Sequence, residues 1–210
     1  QYGLKVSLVD LTQEALDNAR SKIANNLDRQ VKKELLTTAD KSATLDRISF
    51  LTELQKAVAK ADLIVEAASE NSAVKKKIFE QLDQWAPEHC ILASNTSSIS
   101  ITSLASYTKR PENVIGMHFM NPVPVMRLVE VIKGHITSSS TLAKIEALTK
   151  QIEKVPLIAA DYPGFVANRI LLPMINEAIE TLFQGVADVA SIDEIMKLGM
   201  AHPMGPLRLA

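Results

Sequence analysis

The amino-acid sequence predicts an α/β protein with a doubly wound, mainly parallel β-sheet, followed by a segment that is entirely helical. Short apolar runs rich in β-branched residues alternate with segments in which apolar residues recur every three or four positions. The first pattern is typical of buried strands and the second of amphipathic helices, and their alternation implies parallel crossover units. From residue 163 onward only the helical pattern continues, so we expect two domains, residues 1–162 and 163–210.

The bounds of the predicted elements follow from apolar spacing and from helix-capping signals. Thr12 and Asn71 are preferred N-cap residues, and Pro87 cannot continue a helix. Two of the predicted strands follow each other without a helix between them, so part of the sheet is predicted to be antiparallel. The predicted strands are 5–10, 48–51, 61–67, 91–93, 114–119, 128–132 and 157–160. The predicted helices are 12–36, 54–61, 71–86, 101–107 and 139–154.

The helical segment is predicted to contain two helices. A long periodic run covers residues 165–184, and Gly185 ends it. Ser191 and Glu194 form a capping-box pattern, which predicts that a second helix opens there and runs to about residue 198. Because the sequence starts and stops within apolar patterns, we expect it to be a fragment of a longer protein.

The composition excludes several classes of function. Lys and Arg number 23 and Asp and Glu number 24, so the net charge is −1 and there is no basic excess to suggest a nucleic-acid partner. No apolar stretch reaches the roughly 18 residues that a membrane span needs. The single cysteine makes an internal disulfide impossible and indicates a reducing compartment. No metal site is predicted.

An acidic residue, Asp10, ends the first predicted strand. In doubly wound sheets that bind dinucleotides, an acid about 20 residues after a glycine-rich loop holds the adenosine ribose and, by repelling a 2′-phosphate, favours NAD over NADP. Only nine residues precede Asp10, so we expect the glycine-rich loop and its strand to lie outside this sequence. That strand would lie between the predicted strands 5–10 and 61–67. The alternative is a loop or helix-cap acid.

A histidine and a glutamate stand in two consecutive apolar strands. His118 lies at the end of the strand 114–119, and Glu130 lies in the middle of the strand 128–132. A carboxylate is costly to bury in such a run unless it is paired. Two prolines force a turn between the strands, so Glu130 can reach His118, fix the tautomer of its ring and strengthen it as a general base. A purely structural pair is the alternative, and the spacing favours neither.

Further polar side chains are candidates for ligand contacts. The run Asn95-Thr96-Ser97-Ser98 follows the carboxyl end of a predicted strand, where small hydroxyl and amide groups can hold polar ligand atoms. A turn with a helix cap is the alternative. Asn168 lies in the first turn of the long helix, where a local hydrogen bond is the alternative to a ligand contact.

Five motifs occur in one order along the chain. They are Asn95-Thr96-Ser97-Ser98, His118-Phe119-Met120-Asn121-Pro122-Val123-Pro124, Leu128-Val129-Glu130-Val131, Pro163-Gly164-Phe165-Val166-Ala167-Asn168-Arg169 and His202-Pro203-Met204-Gly205-Pro206. With these motifs the chain resembles, over nearly its whole length, the L-3-hydroxyacyl-CoA dehydrogenase family, which includes the 3-hydroxybutyryl-CoA dehydrogenases. The resemblance implies a Rossmann-like fold followed by a helical domain, of which this sequence would hold only the beginning.

The resemblance implies an NAD-dependent enzyme of fatty acid metabolism and β-oxidation that interconverts (S)-3-hydroxyacyl-CoA and 3-oxoacyl-CoA. His118 would be its general base, and Glu130 would orient that base. Ser97 and Asn168 would hydrogen-bond the reacting oxygen. The positions that match the family's NAD contacts are Asp10, Glu70, Lys75, Ser97 and Asn121. The positions that match its CoA and substrate contacts are Lys33 and Ser97.

The resemblance also implies partners and a location. The substrate would be an acyl-CoA and the parent protein a homodimer, with neither a nucleic acid nor a membrane as partner. A bacterial protein would lie in the cytoplasm, and the mitochondrion and the peroxisome are the alternatives. Two other functions stay open: an NAD-dependent dehydrogenase of a hydroxy acid that carries no CoA, and a catalytically silent fragment.

Overall fold

The computed structural model describes all residues from 1 to 210. In chain order the elements are β1 Val6–Val9, α1 Gln13–Lys32, α2 Thr38–Asp46, β2 Ile48–Leu51, α3 Leu54–Val58, β3 Leu63–Glu66, α4 Ser72–Trp85, β4 Ile91–Ser94, α5 Ile101–Ala105, β5 Val114–Phe119, β6 Leu128–Lys133, α6 Ser139–Gln151, β7 Val155–Ala160, α7 Ala167–Phe183, α8 Val189–Gly199 and α9 Pro206–Leu209. A single 3-10 turn, Pro111–Asn113, precedes β5. None of the helices combines the length and the apolarity needed to cross a membrane.

The strands form two sheets. β1 and β2 pair in parallel, and the other five strands form a sheet in the order β3-β4-β5-β6-β7. Neighbours in the larger sheet are parallel except β5 and β6, which are antiparallel. The predicted mainly parallel α/β fold is therefore confirmed, including its antiparallel part. β1 and β3 belong to different sheets and do not pair with each other, as we expected from the doubly wound strand order.

The largest difference from the predicted elements lies after α1. Thr12 caps α1 as expected, but the helix ends earlier than predicted, at Lys32. The chain turns at Glu34, whose φ of 58° is left-handed. Thr37 and Asp40 then form a capping box that opens the separate helix α2. The start of α2 was not predicted, because the apolar spacing of α1 continues across the break and outweighed the capping-box pattern.

The helical segment confirms one predicted boundary and corrects another. Gly185 follows α7 with a φ of 70°, as expected for the residue that ends a helix. The predicted start of the next helix at Ser191 is wrong. The carboxylate of Asp188 accepts a hydrogen bond from Ser191 N–H at 2.7 Å, so Asp188 is the cap and α8 begins at Val189. α9, which was not predicted, packs against both α7 and α8.

The larger sheet is packed on both faces. Alternate residues of a strand point to opposite faces, and one buried apolar cluster contains Leu92, Val114 and Ile132 while the other contains their sequence neighbours. The first cluster includes buried residues of α4 and α5, and the second is closed by Ile145 of α6. Because both faces of the central strands β4, β5 and β6 are covered, these strands carry the side chains at their ends on a rigid framework.

Gly116 in β5 leaves no room for a side chain. A Cβ atom added there would stand 2.7 Å from Cβ of Ile132 in β6. We expect Gly116→Ala to lower the free energy of unfolding by about 1–3 kcal/mol, the usual cost of overpacking a core. Gly199→Ala is the control, because a Cβ atom there meets nothing within 4 Å. Urea denaturation measures both variants, and equal stability of the two would contradict the packing described here.

Candidate active site

The candidate site lies at one edge of the larger sheet. β3, β4 and β5 run parallel, so their carboxyl ends meet at the same edge, where doubly wound sheets bind their ligands. Several of the residues predicted from the sequence reach this edge, from the loops after β3 and β4, from the end of β5 and from the first turn of α7. They are Glu70, Ser97, His118 and Asn168.

The imidazole of His118 and the carboxylate of Glu130 form a cross-strand pair. The two residues are direct partners in the antiparallel ladder of β5 and β6, so their side chains lie on the same face. His118 Nδ1 is 2.8 Å from Glu130 Oε2. The residues are 7% and 4% exposed, so solvent screens their interaction little. The contact that the sequence predicted is present.

The hydrogen bonds of the imidazole define its tautomer. The carboxylate of Glu130 can only accept, so the proton of the neutral ring resides on Nδ1. Nε2 is then an acceptor, and the hydroxyl of Ser97, 3.1 Å away, donates to it. Nε2 is therefore the ring atom that is able to take up a proton.

The second oxygen of Glu130 binds the start of α7. Oε1 accepts hydrogen bonds from the backbone N–H groups of Val166 and Ala167 at 3.3 Å and 3.0 Å. A helix N-terminus carries partial positive charge, so it stabilises a carboxylate placed there. This contact could not be predicted from the sequence, because its donors are backbone groups and leave no pattern of side chains.

The segment that enters α7 also touches the imidazole and the serine loop. Gly164 and Phe165 have φ values of 78° and 50°, and this turn sets the buried ring of Phe165 5.8 Å from the ring of His118, centroid to centroid. Asn168 Nδ2 donates to the backbone carbonyl of Ser97 at 3.3 Å. Asn168 is therefore close to Ser97 but is bound to its main chain.

Glu70 organises the loop that carries Ser97. Its Oε1 accepts from the N–H groups of Ser97 and Ser98, both at 3.0 Å, and from the hydroxyls of Thr96 and Ser98. Burial opposes ionisation of this carboxyl, but the hydrogen bonds outweigh burial and, with the charge of Lys75, lower its pKa to about 2. Glu70 thus lies at the predicted site, where it binds the main chain of the loop that carries Ser97.

Lys75 is more deeply buried than we expect of a residue that contacts the cofactor. It is 1% exposed, and its Nζ lies 2.7 Å and 2.9 Å from the two carboxylate oxygens of Glu66. A second carboxylate, that of Glu70, lies 3.5 Å from the ammonium. Glu66 was not among the residues predicted from the sequence. Its position at the end of an apolar strand was the available signal, because a buried acid in such a strand needs a partner.

Three predicted residues form no hydrogen bond with the pair of His118 and Glu130. Asp10 follows β1 and is exposed, and one of its oxygens accepts from Leu11 N–H at 2.7 Å. Lys33 is the exposed C-cap of α1. Asn121 is exposed in the turn between β5 and β6. None of the three forms a hydrogen bond with His118 or Ser97, whose side-chain partners are Glu130 and each other.

A doubly wound sheet with a histidine–carboxylate pair is the arrangement expected of a dinucleotide-dependent dehydrogenase. The family model described as "3-hydroxyacyl-CoA dehydrogenase, NAD binding domain" matches residues 1–162, and the one described as "3-hydroxyacyl-CoA dehydrogenase, C-terminal domain" matches residues 164–210. The chain belongs to the 3-hydroxyacyl-CoA dehydrogenase family and is an NAD-dependent oxidoreductase by family. The resemblance, the class of enzyme and the cofactor inferred from the sequence are confirmed.

Individual relatives agree with this assignment. The chain is 49% identical over 208 residues to a probable 3-hydroxybutyryl-CoA dehydrogenase of Bacillus subtilis, covering 99% of this chain and 72% of the relative. It is 43% identical over 212 residues to the mitochondrial hydroxyacyl-coenzyme A dehydrogenase of Homo sapiens, covering 99% and 68%. The crystal structure of (S)-3-hydroxybutyryl-CoA dehydrogenase PaaH1 from Ralstonia eutropha superposes with a TM-score of 0.97 at 52% identity, covering 100% of this chain and 74% of that one.

The low pKa of Glu70 predicts a dependence of stability on pH. The folded-state pKa of about 2 lies below the value of 4.5 for a free glutamate, so the carboxylate stabilises the fold. That contribution is complete above pH 4.5 and is lost as the pH falls towards 2. We expect Glu70→Gln to lower the free energy of unfolding at pH 7 and to flatten its decline below pH 4.5, as measured by urea denaturation. Glu80→Gln, an exposed change in α4, is the control; a decline in Glu70→Gln as steep as in the unmodified chain would refute the assignment.

Proposed function

We propose that the chain interconverts (S)-3-hydroxyacyl-CoA and 3-oxoacyl-CoA with His118 as the general base and Glu130 as the group that orients it. The observation that carries this proposal is the hydrogen bond of 2.8 Å between His118 Nδ1 and Glu130 Oε2, which leaves Nε2 unprotonated at the edge of the sheet. The hydroxyl of Ser97 at Nε2 marks where an alcohol oxygen of the substrate is received.

The proton transfer follows from these contacts. In the oxidative direction, Nε2 of His118 accepts the proton of the substrate's 3-hydroxyl group, and the ring becomes a cation. The carboxylate of Glu130 stabilises that cation through Nδ1, whereas it makes no contact with the substrate. Ser97 and Asn168 supply hydrogen bonds to the reacting oxygen. In the reductive direction His118 returns the proton to the same oxygen.

NAD, when bound, supplies the acceptor of the hydride from C3 of the substrate. The side chains at the sheet edge fit such a dinucleotide. Asp10 is exposed and has one oxygen that makes no hydrogen bond, which suits ribose hydroxyls. The carboxylate of Glu70 is 41% exposed, and Asn121 has an exposed amide. Lys75 would act on the cofactor through Glu70, because its own ammonium is enclosed.

The acyl chain and the CoA group are assigned from the relatives and from one cation. The relative from Bacillus subtilis and the structure from Ralstonia eutropha both carry the name 3-hydroxybutyryl-CoA dehydrogenase, so we propose a four-carbon acyl group. Lys33, exposed at the end of α1, would bind the phosphates of CoA. A dehydrogenase of a hydroxy acid without CoA is the second candidate.

The assembly and the location are further parts of the proposal. The helical segment, residues 163–210, would form the beginning of a second domain that dimerises. Exposed apolar side chains on its helices, among them Phe183 and Leu198 at 84% and 82% exposure, support a contact with a second copy. The bacterial relatives support the cytoplasm, and the human relative supports the mitochondrion as the alternative.

The substrate proposal is tested by oxidation of NADH in the protein that carries this chain. We expect reduction of acetoacetyl-CoA and no reduction of acetoacetate. Lys33→Ala should raise KM for acetoacetyl-CoA by up to about fivefold, the value of one exposed charge pair. Lys32→Ala removes the neighbouring exposed charge and is the matched control. Equal rates with the two substrates would favour the second candidate function.

The role of Glu130 is tested by Glu130→Gln in the same protein. The amide keeps the size of the side chain but cannot stabilise the imidazolium ion, so we expect kcat to fall by about 100-fold or more. The KM for NADH should stay nearly unchanged, because Glu130 does not belong to the proposed cofactor contacts. Glu177→Gln, an exposed change in α7, is the control. A variant with unaltered kcat would leave Glu130 a purely structural partner of His118.

A further inference from the structure

A buried pair of opposite charges lies beneath the candidate active site. Lys75 is 1% exposed, and its partner Glu66 is 5% exposed. Apolar residues of similar size would stabilise a core about as well as such a pair, because burying two charges costs most of what their attraction returns. A contribution to stability therefore does not explain the buried pair of Lys75 and Glu66, so we consider which groups the pair holds in place.

Glu66 joins the ends of two strands. Its Oε1 accepts from Ala68 N–H at 2.6 Å, in the loop after β3. Its Oε2 accepts from the hydroxyl of Ser94 at 2.6 Å, at the end of β4. The hydroxyl oxygen of Ser94 in turn accepts from Thr96 N–H at 3.2 Å. The carboxylate therefore fixes the start of the loop that carries Ser97.

A second path reaches the same loop through Lys75. Its ammonium lies between the carboxylates of Glu66 and Glu70, at 2.7 Å and 3.5 Å from their nearest oxygens. Glu70 holds the N–H group of Ser97 at 3.0 Å. Both paths thus start at Glu66 and end at Ser97, whose hydroxyl is 3.1 Å from Nε2 of His118.

We propose that Glu66 is a positioning residue that keeps the hydroxyl of Ser97 within hydrogen-bond distance of His118. This inference rests on the proposed function for its effect on catalysis, but the geometry it describes exists without substrate. A displacement of a side chain by about 1 Å from its productive position can lower the rate on the order of 100-fold. A rigid support for the hydroxyl of Ser97 therefore helps to keep the reaction fast. Glu66 touches neither the imidazole nor the surface, and it acts only through the loop.

The first test observes the imidazole without substrate. The chain has 4 histidines, so 15N NMR of labelled histidine rings resolves His118, and His118→Asn assigns its signals. Ser97→Ala defines the Nε2 shift without the hydroxyl. We expect Glu66→Gln to move the shift of Nε2 towards that of Ser97→Ala. Asp83→Asn is the matched control, because Asp83 forms an ion pair with Arg110 towards the far end of α4, and it should leave the shift in place.

The second test asks whether the effect on rate passes through Ser97. We expect Glu66→Gln to lower kcat for acetoacetyl-CoA reduction by about 10- to 100-fold. In a Ser97→Ala background the same change should lower kcat by less than about twofold further, since the hydroxyl it positions is absent. A merely structural role of Glu66 would give independent effects that multiply.

The outcomes distinguish a failure of the positioning role of Glu66 from a failure of the proposed function. The positioning role is refuted if Glu66→Gln leaves the 15N shift of His118 Nε2 at its original position. It is also refuted if the effects of Glu66→Gln and Ser97→Ala on kcat multiply in the double variant. If Glu66→Gln does not fold, Ser94→Ala replaces it, because that change removes one oxygen of the same network and should shift Nε2 in the same direction; an unmoved signal there refutes the role as well. If the unmodified protein reduces no acyl-CoA, the proposed function fails, while the NMR result still decides the positioning.

Discussion

The carboxylate of Glu130 connects the sheet, the imidazole and the helical segment. One of its oxygens lies against His118 Nδ1, and the other accepts two backbone N–H groups at the start of α7. Both oxygens are buried and both are used, so the charge is compensated from two directions. Any movement of α7 relative to β6 would remove part of this compensation. The position of the second segment and the orientation of the base therefore depend on the same carboxylate.

Three glutamates at the sheet edge have different roles, because their surroundings differ. Glu66 is enclosed with Lys75 and holds the framework, whereas Glu130 is enclosed with a group that changes charge during the proposed reaction. Glu70 is 41% exposed, and its hydrogen bonds to one loop lower its pKa to about 2, so it stays ionised where a ligand can reach it. The apolar clusters on both faces of the sheet surround these carboxylates, so each one depends on the few polar partners within its reach.

The sequence predicted the features that leave a periodic or unusual pattern in single residues. The strands of the larger sheet and the contact between His118 and Glu130 were predicted because apolar runs, and an acid inside one of them, are visible in the sequence. The break after α1 was missed because the apolar spacing runs across it, and the cap at Ser191 was wrong because Asp188 lies three residues earlier. The contacts of Glu130 with the start of α7 could not be predicted, since their donors are backbone groups that any residue carries.

The structure also bears on whether the pair of His118 and Glu130 is catalytic or structural, which the spacing left open. A structural pair needs partners of its own chain on every polar atom, and Glu130 meets that description fully. His118 also has a partner on each ring nitrogen, but the partner of Nε2 is the hydroxyl of Ser97, an exposed residue at the sheet edge. A ligand hydroxyl can take the place of a serine hydroxyl with little loss, because the two groups offer the same hydrogen bond. The saturated side of the pair thus faces the core and the exchangeable side faces the edge where ligands bind, which favours catalysis over a structural role.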